Sequence, residues 1–143
     1  LIQVTASKDA LTQAEQDTLI AKISNAVLKS ETAPIEDPGA QSLVWASFNE
    51  LPAGAIYVGG EAIQQPPLRI DVTTPEGALN PATRKTLVAE IGEIVDAVVG
   101  EFEGRLNQWT MLYELDEGSW SGSGQIFGLA DIQAAMNITP VQH

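Results

Sequence analysis

The sequence predicts an α/β (α+β) fold of two tandem β-α-β units, forming a four-stranded sheet with two helices on one face plus short hairpins. Three observations carry that expectation. The pattern Trp45-x4-Glu50-Leu51-x2-Gly54-x5-Gly60 returns as Trp109-x4-Glu114-Leu115-x2-Gly118-x5-Gly124, each pair 64 residues apart, as 45 and 109 are. In a chain of 143 residues with three Trp and twelve Gly, five matched positions at one offset mark an internal duplication. Each copy also follows an alternating segment and then a long stretch of helical period.

The first half spans about 1–64. Leu1 to Thr5 sets Ile2 and Val4 on one face with Gln3 between them, which reads as a strand. Leu11 and then Thr12-Gln13-Ala14-Glu15 follow, and the latter is a capping box in which the Thr hydroxyl and Glu carboxylate satisfy free amides of the first turn. Leu19, Ile20, Ile23, Ala26 and Val27 recur on one helical face. The connection from Ser30 to Gln41 holds Pro34, Pro38 and acids, and reads as a loop about five residues longer than its counterpart. A strand-forming run from Ser42 to Glu50, a Gly-rich turn and a short hairpin complete the unit.

The second half spans about 65–128 and repeats that order. Arg69 to Thr73 is the strand matching Leu1 to Thr5. Asn80-Pro81 is an N-cap with proline at the first helical position. Leu87, Val88, Ile91, Ile94, Val95 and Val98 form the apolar stripe, and Gly100 is a natural stop. Asn107 to Glu114 is the second strand, and a Gly-rich turn again leads into a hairpin. A right-handed crossover makes the two strands of each half parallel and sets its helix on one face. The tail, 129–143, carries an amphipathic stretch of Ile132, Ala135, Met136 and Ile138 before Pro140, expected either to lie across a neighbouring subunit or to fray. The whole of 1–143 is expected to be a single domain.

Composition excludes several kinds of chemistry. Hydrophobic residues make up 44% of the chain, enough for a real core, while a net charge of −12 opposes binding to nucleic acid phosphates and to anionic membranes. No apolar run is long enough to span a membrane and no basic-then-apolar leader is present, so a soluble, cytoplasmic protein is expected. Cysteine is absent, which removes thiolate chemistry and zinc-thiolate sites together. The one histidine, His143, sits at the far end, so neither a Ser-His-Asp triad nor a histidine metal site can be built within one chain. No cofactor and no metal are expected.

The stretch Phe48-Asn49-Glu50-Leu51-Pro52-Ala53-Gly54-Ala55-Ile56-Tyr57-Val58-Gly59-Gly60, with the duplicated β-α-β unit, resembles the tautomerase superfamily. Ala6-Ser7-Lys8-Asp9-Ala10-Leu11-Thr12 and the Pro52-Ala53-Gly54 to Gly59-Gly60 stretch are similar to the cis-3-chloroacrylic acid dehalogenase group. Trp120-Ser121-Gly122-Ser123-Gly124 with Phe127 resembles malonate semialdehyde decarboxylase. The resemblance implies a homotrimer with an amino-terminal proline as catalyst in an apolar pocket. It also implies a small-molecule substrate, a 2-oxo or unsaturated carboxylic acid, and keto-enol tautomerisation or related proton-transfer or hydration chemistry. An α-amine titrates near about 8, and desolvation lowers it toward neutrality, where it is partly free base. Aligned on Ala6 to Thr12, the catalytic proline falls immediately before Leu1, so Leu1 marks the catalytic end of the first strand. We expect that proline to precede Leu1 in the native protein, the alternative being an initiator Met.

The arginines that hold substrate carboxylates in the dehalogenases and decarboxylases are missing. The loop after the third strand reads Thr73-Thr74-Pro75-Glu76-Gly77-Ala78-Leu79, Ala10 replaces another such arginine, and the chain has only Arg69, Arg84 and Arg105. Dehalogenase or decarboxylase activity is therefore less expected than tautomerase chemistry. Alternation puts Trp109, Met111 and Tyr113 on one strand face, where the resemblance implies pocket walls. Core packing explains Trp109 better, because Trp45 matches it in the other half; the Tyr113 hydroxyl either donates to an enolate or reaches solvent. Trp120 stands where the decarboxylase motif has a catalytic tryptophan, and its repeat partner is Ile56; an intersubunit contact is the competing reading. Asp37 lies near the decarboxylase's functional acid, with Glu36 competing and a solvated loop charge as the default. Lys8 and Lys29 are possible carboxylate anchors, against the default of surface lysines. Arg69 shares a face with Asp71, so an internal ion pair accounts for it. Two readings stand beside the enzyme: a catalytically degenerate trimer with a binding or scaffolding role, and an unrelated small-molecule sensor on the same fold.

Overall fold

The alternation of apolar residues and the two capped helical stripes produce the expected elements in the computed structural model, which describes residues 1–138. In chain order these are β1 (Ile2–Ser7), α1 (Gln13–Ser30), α2 (Pro38–Leu43), β2 (Ala46–Leu51), and the hairpin β3 (Tyr57–Val58) and β4 (Glu61–Ala62). The second half gives β5 (Leu68–Pro75), α3 (Pro81–Val99), β6 (Gln108–Leu115), the hairpin β7 (Ser121–Gly122) and β8 (Gln125–Ile126), and then α4 (Leu129–Ala135). Pro140 and His143 lie outside the described residues.

The caps are those the residues call for. Thr12 Oγ1 accepts from the Glu15 amide at 3.1 Å while Glu15 accepts from the Thr12 amide at 2.9 Å, closing the box at the start of α1. Asn80 caps α3 with Pro81 at its first position, and Gly100 ends it at φ 81°, a conformation that costs other residues more.

Four strands form one sheet in the order β2-β1-β5-β6. Within each half the strands are parallel, β1 with β2 and β5 with β6, as a β-α-β crossover requires. The two halves meet antiparallel, β1 against β5 with Ile2 opposite Val72, so the sheet is mixed rather than parallel. Both long helices lie on one face. Ile2, Val4, Ile70 and Val72 point into that side and pack on Leu19, Ile23, Leu87, Ile91 and Val95, all almost fully buried. Burial of this kind stabilises by roughly 25 cal/mol per Å² of apolar surface, and the apolar stripes of α1 and α3 supply it.

Three expectations need correction. The connection Ser30 to Gln41 is not a plain loop, because Pro38 opens α2 and the Asp37 carboxylate accepts from the Ala40 amide at 2.9 Å. The strand expected from Ser42 accordingly starts at Ala46. The tail through Ile138 packs on its own chain: Ile132, Met136 and Ile138 join Leu28, Ala33 and Ala40 in a second small core. Finally, Trp109 is not core. It stands 66% exposed and its repeat partner Trp45 69% exposed, because the helices cover one face of the sheet only and alternation aims Trp109 at the other. Among the described residues no helix is long and apolar enough to cross a membrane.

Candidate active site

Because β1 runs parallel to β2 and antiparallel to β5, the start of β1 lies at the sheet end where β5 and β6 finish. The C-terminus of α1, the β7-β8 hairpin and α4 close over the same end. The result is a cavity of about 630 Å³. The Leu1 amino group donates to Thr73 O at 2.9 Å, and the Thr73 amide returns a bond to Leu1 O at 2.8 Å, which pins the strand start at the cavity. Apolar groups dominate the lining, including Val27, Leu28, Pro75, Trp120 and Phe127.

Among the described residues that line it, only the Leu1 amine and Glu31 carry titratable groups. Burial pushes the amine below its ordinary range, opposed by the charge of Glu31. Burial pushes Glu31 up to about 7, opposed in turn by the positive amine. A weakened base thus faces a weakened acid across apolar space, an arrangement suited to moving protons near neutral pH. Sequence reading missed Glu31. A signal was present: Glu31 caps the C-terminus of α1, its amide bonding to Val27 O at 3.1 Å, where the helix dipole favours cations and an acid is the locally unfavourable choice.

The candidates from sequence fall into separate groups. Trp120 lines the cavity with Leu1, half-buried against the second core. Tyr113 and Trp109 stand on the helix-free face, beside a more open hollow of about 760 Å³. There the Tyr113 hydroxyl donates to Asp71 Oδ1 at 2.9 Å and accepts from Arg69 Nη2 at 3.2 Å, while Arg69 Nε pairs with Asp71 Oδ2 at 3.1 Å. Met111 is exposed on β6 opposite Asp71 and lines neither space. Thr73 borders both.

Asp37 belongs to neither cavity. It holds the Ala40 amide and, at 3.1 Å, the Asn137 side-chain amide, and these bonds, the Ala40 one first, draw its carboxyl below the usual range. Its place in the fold is the seam between α2 and the tail. Lys8 sits past the end of β1, roughly 23 Å from Leu1 at the usual strand rise, with its amide on Leu51 O at 2.8 Å. Lys29 pairs with Glu90 at 3.6 Å. Among the described residues no three His, Asp or Glu side chains come together as a metal site.

No family model matches the chain, and no curated protein matches it. Solved structures do. N1, a member of the cis-3-chloroacrylic acid dehalogenase family, superposes with a TM-score of 0.73 at 18% identity, over 87% of this chain and 81% of that one. The R7 fused 4-OT wild type asymmetric trimer gives 0.72 at 18% identity, over 87% and 94%. Native RhCC from Rhodococcus jostii RHA1 gives 0.69 at 15% identity, over 99% of each chain. At such identities the likeness is one of fold, and it agrees with the paired β-α-β halves and their antiparallel junction. This chain has the fold of the tautomerase superfamily.

Proposed function

We propose that this protein is a tautomerase-like enzyme that moves a proton on a small enolisable or unsaturated carbonyl compound, using the amino group that opens β1. The observation that carries the reading is the pairing, in one apolar cavity, of an amine whose basicity burial lowers with a carboxyl whose acidity burial weakens. Near neutral pH such an amine is partly free base and can take a proton from the carbon beside a carbonyl, then return it as an acid. The reading holds for the amine of Leu1 or of a proline joined before it, since either would emerge into the same space. Trp120 supplies an apolar wall for the substrate. Tyr113 and Trp109 belong to a different face and act on assembly in this reading.

The same proposal includes a homotrimer. Support comes from the trimeric fused 4-OT that shares the fold, and from Trp45, Trp109, Leu106 and Met111, which are exposed to a degree that favours burial against a second copy. The test is the ketonisation of phenylpyruvate enol, supplied as the acid or its methyl ester, followed by the loss of enol absorbance. Catalysis above buffer that disappears when the amine is acylated is the expected outcome. Full activity after acylation, with intact mass proving the amine capped, refutes the mechanism.

A further inference from the structure

Resting on that proposed reaction, we infer that the cavity selects uncharged carbonyl compounds with an apolar body, and that Glu31 hydrogen-bonds the carbonyl oxygen of the substrate. Among the described residues the cavity's lining offers apolar groups, serine hydroxyls, Thr73, the amine and Glu31, with no arginine, lysine or histidine. A carboxylate bound there would have the amine as its one cation, yet the amine must be neutral to act as a base. The anion would then lie without a cationic partner in a medium of low polarity, where an unpaired charge is costly.

A neighbouring copy of the chain has no free guanidinium to lend. Arg69 is held by Asp71 and Tyr113, and Arg84 pairs with Glu114. Arg105 donates to Gln65 O and lies over the Phe102 ring with its carbon 4.6 Å from the centroid. Each makes contacts within its own chain, although Nη1 of Arg105 is buried without a partner, and none lines the cavity, so the forked contacts that usually secure a carboxylate are missing from it.

Glu31 supplies what a neutral substrate needs instead. In enolisation the free amine takes the proton from the α-carbon, the C–H pair becomes the new C=C bond, and the carbonyl π pair moves to oxygen. That oxygen takes the proton of the Glu31 carboxyl. The ammonium and carboxylate left facing each other exchange one proton and regain the starting state, and ketonisation is the reverse. No outside oxidant, reductant or ion enters the balance. Since the carbonyl oxygen gains negative charge only as the reaction proceeds, a donor aimed at it acts chiefly on the transition state.

The test compares two enols that differ only in charge, phenylpyruvate and its methyl ester, with the full-length protein at pH 7. The expected kcat/KM is at least about tenfold higher for the ester, a discrimination that one unpaired buried charge readily produces. Glu31→Gln should lower the ester's kcat/KM at least about tenfold, since it removes the proton that the substrate oxygen takes. Equal or better turnover of the acid by the unaltered protein overturns the inference and leaves the proposed function standing. Turnover of neither enol above buffer overturns both. The wild-type comparison needs no variant, so a Glu31→Gln protein that failed to fold would leave the test intact.

Discussion

Replacing Glu31 with glutamine tests, through stability alone, whether this carboxyl is buried beside the amine as the fold implies. In the unfolded chain the carboxyl titrates near its ordinary 4.5, and in the folded protein near 7. Between those values the folded protein holds a proton that the unfolded chain has lost. Stability therefore falls as pH rises through that window and is fully reduced above it. At about 1.36 kcal/mol per pH unit, the gap amounts to about 3 kcal/mol at pH 8. Glu31→Gln removes the titration while keeping the shape. The variant should match the wild type at pH 4.5 and exceed it by about 3 kcal/mol at pH 8. For a chain of 143 residues, that corresponds to a melting temperature roughly 10 °C higher at equal protein concentration. The Leu1 amine has the opposite sign: its lowered basicity reduces stability as pH falls below 8. The amine is common to both proteins, so its contribution largely drops out of their difference. Urea denaturation at four pH values between 4.5 and 8.5 is the assay. A difference that stays flat with pH, or a wild type that gains on the variant as pH rises, would refute the buried acid.

Thr12→Ala removes the oxygen that accepts the Glu15 amide and should cost about 1 kcal/mol in urea denaturation. Ile91→Ala empties a fully buried site between α3 and the sheet, with an expected loss of about 3 kcal/mol by the same measurement. Asn137→Ala cuts the tie from the tail to Asp37, so amide hydrogen exchange should quicken in residues 129–138 and stay unchanged in β5 and β6. The double variant Trp45→Ala, Trp109→Ala removes the two largest exposed rings, Trp109 on the helix-free side and Trp45 lining the Leu1 cavity, and should shift sedimentation at micromolar concentration from the proposed trimer toward monomer. A trimer that persists unchanged would mean that these rings serve something else.

The sequence made the repeat, the two capped helices and the strand faces legible, because each depends on residues a few positions apart. Thr12 with Glu15 and Asn80 with Pro81 are local chemistry, and they operate as read. The start of α2 carries the same local signal, Asp37 before Pro38, but its six residues are too few to show a helical period. Asp37 begins it, but the second partner of Asp37 is Asn137, a hundred residues on, and no local pattern announces that meeting. The same holds for the tail, whose apolar residues find Leu28 and Ala40 on their own chain. Trp109 misled for a different reason. Its match with Trp45 shows that the duplicated scaffold uses a ring at this position, and periodicity shows only that residues share a face. Which face the helices cover is a matter of packing.

Local periodicity and capping were therefore enough to derive two β-α-β halves and their parallel strand pairs. The antiparallel docking of the halves was a tertiary matter, and from it follow the position of the cavity and the company kept within it. Leu1 and Glu31 lie thirty residues apart in the chain, and nothing in either's surroundings says that they will face each other. Their perturbed acidities are products of burial, which exists only once α1, the sheet end, the β7-β8 hairpin and α4 have closed around them.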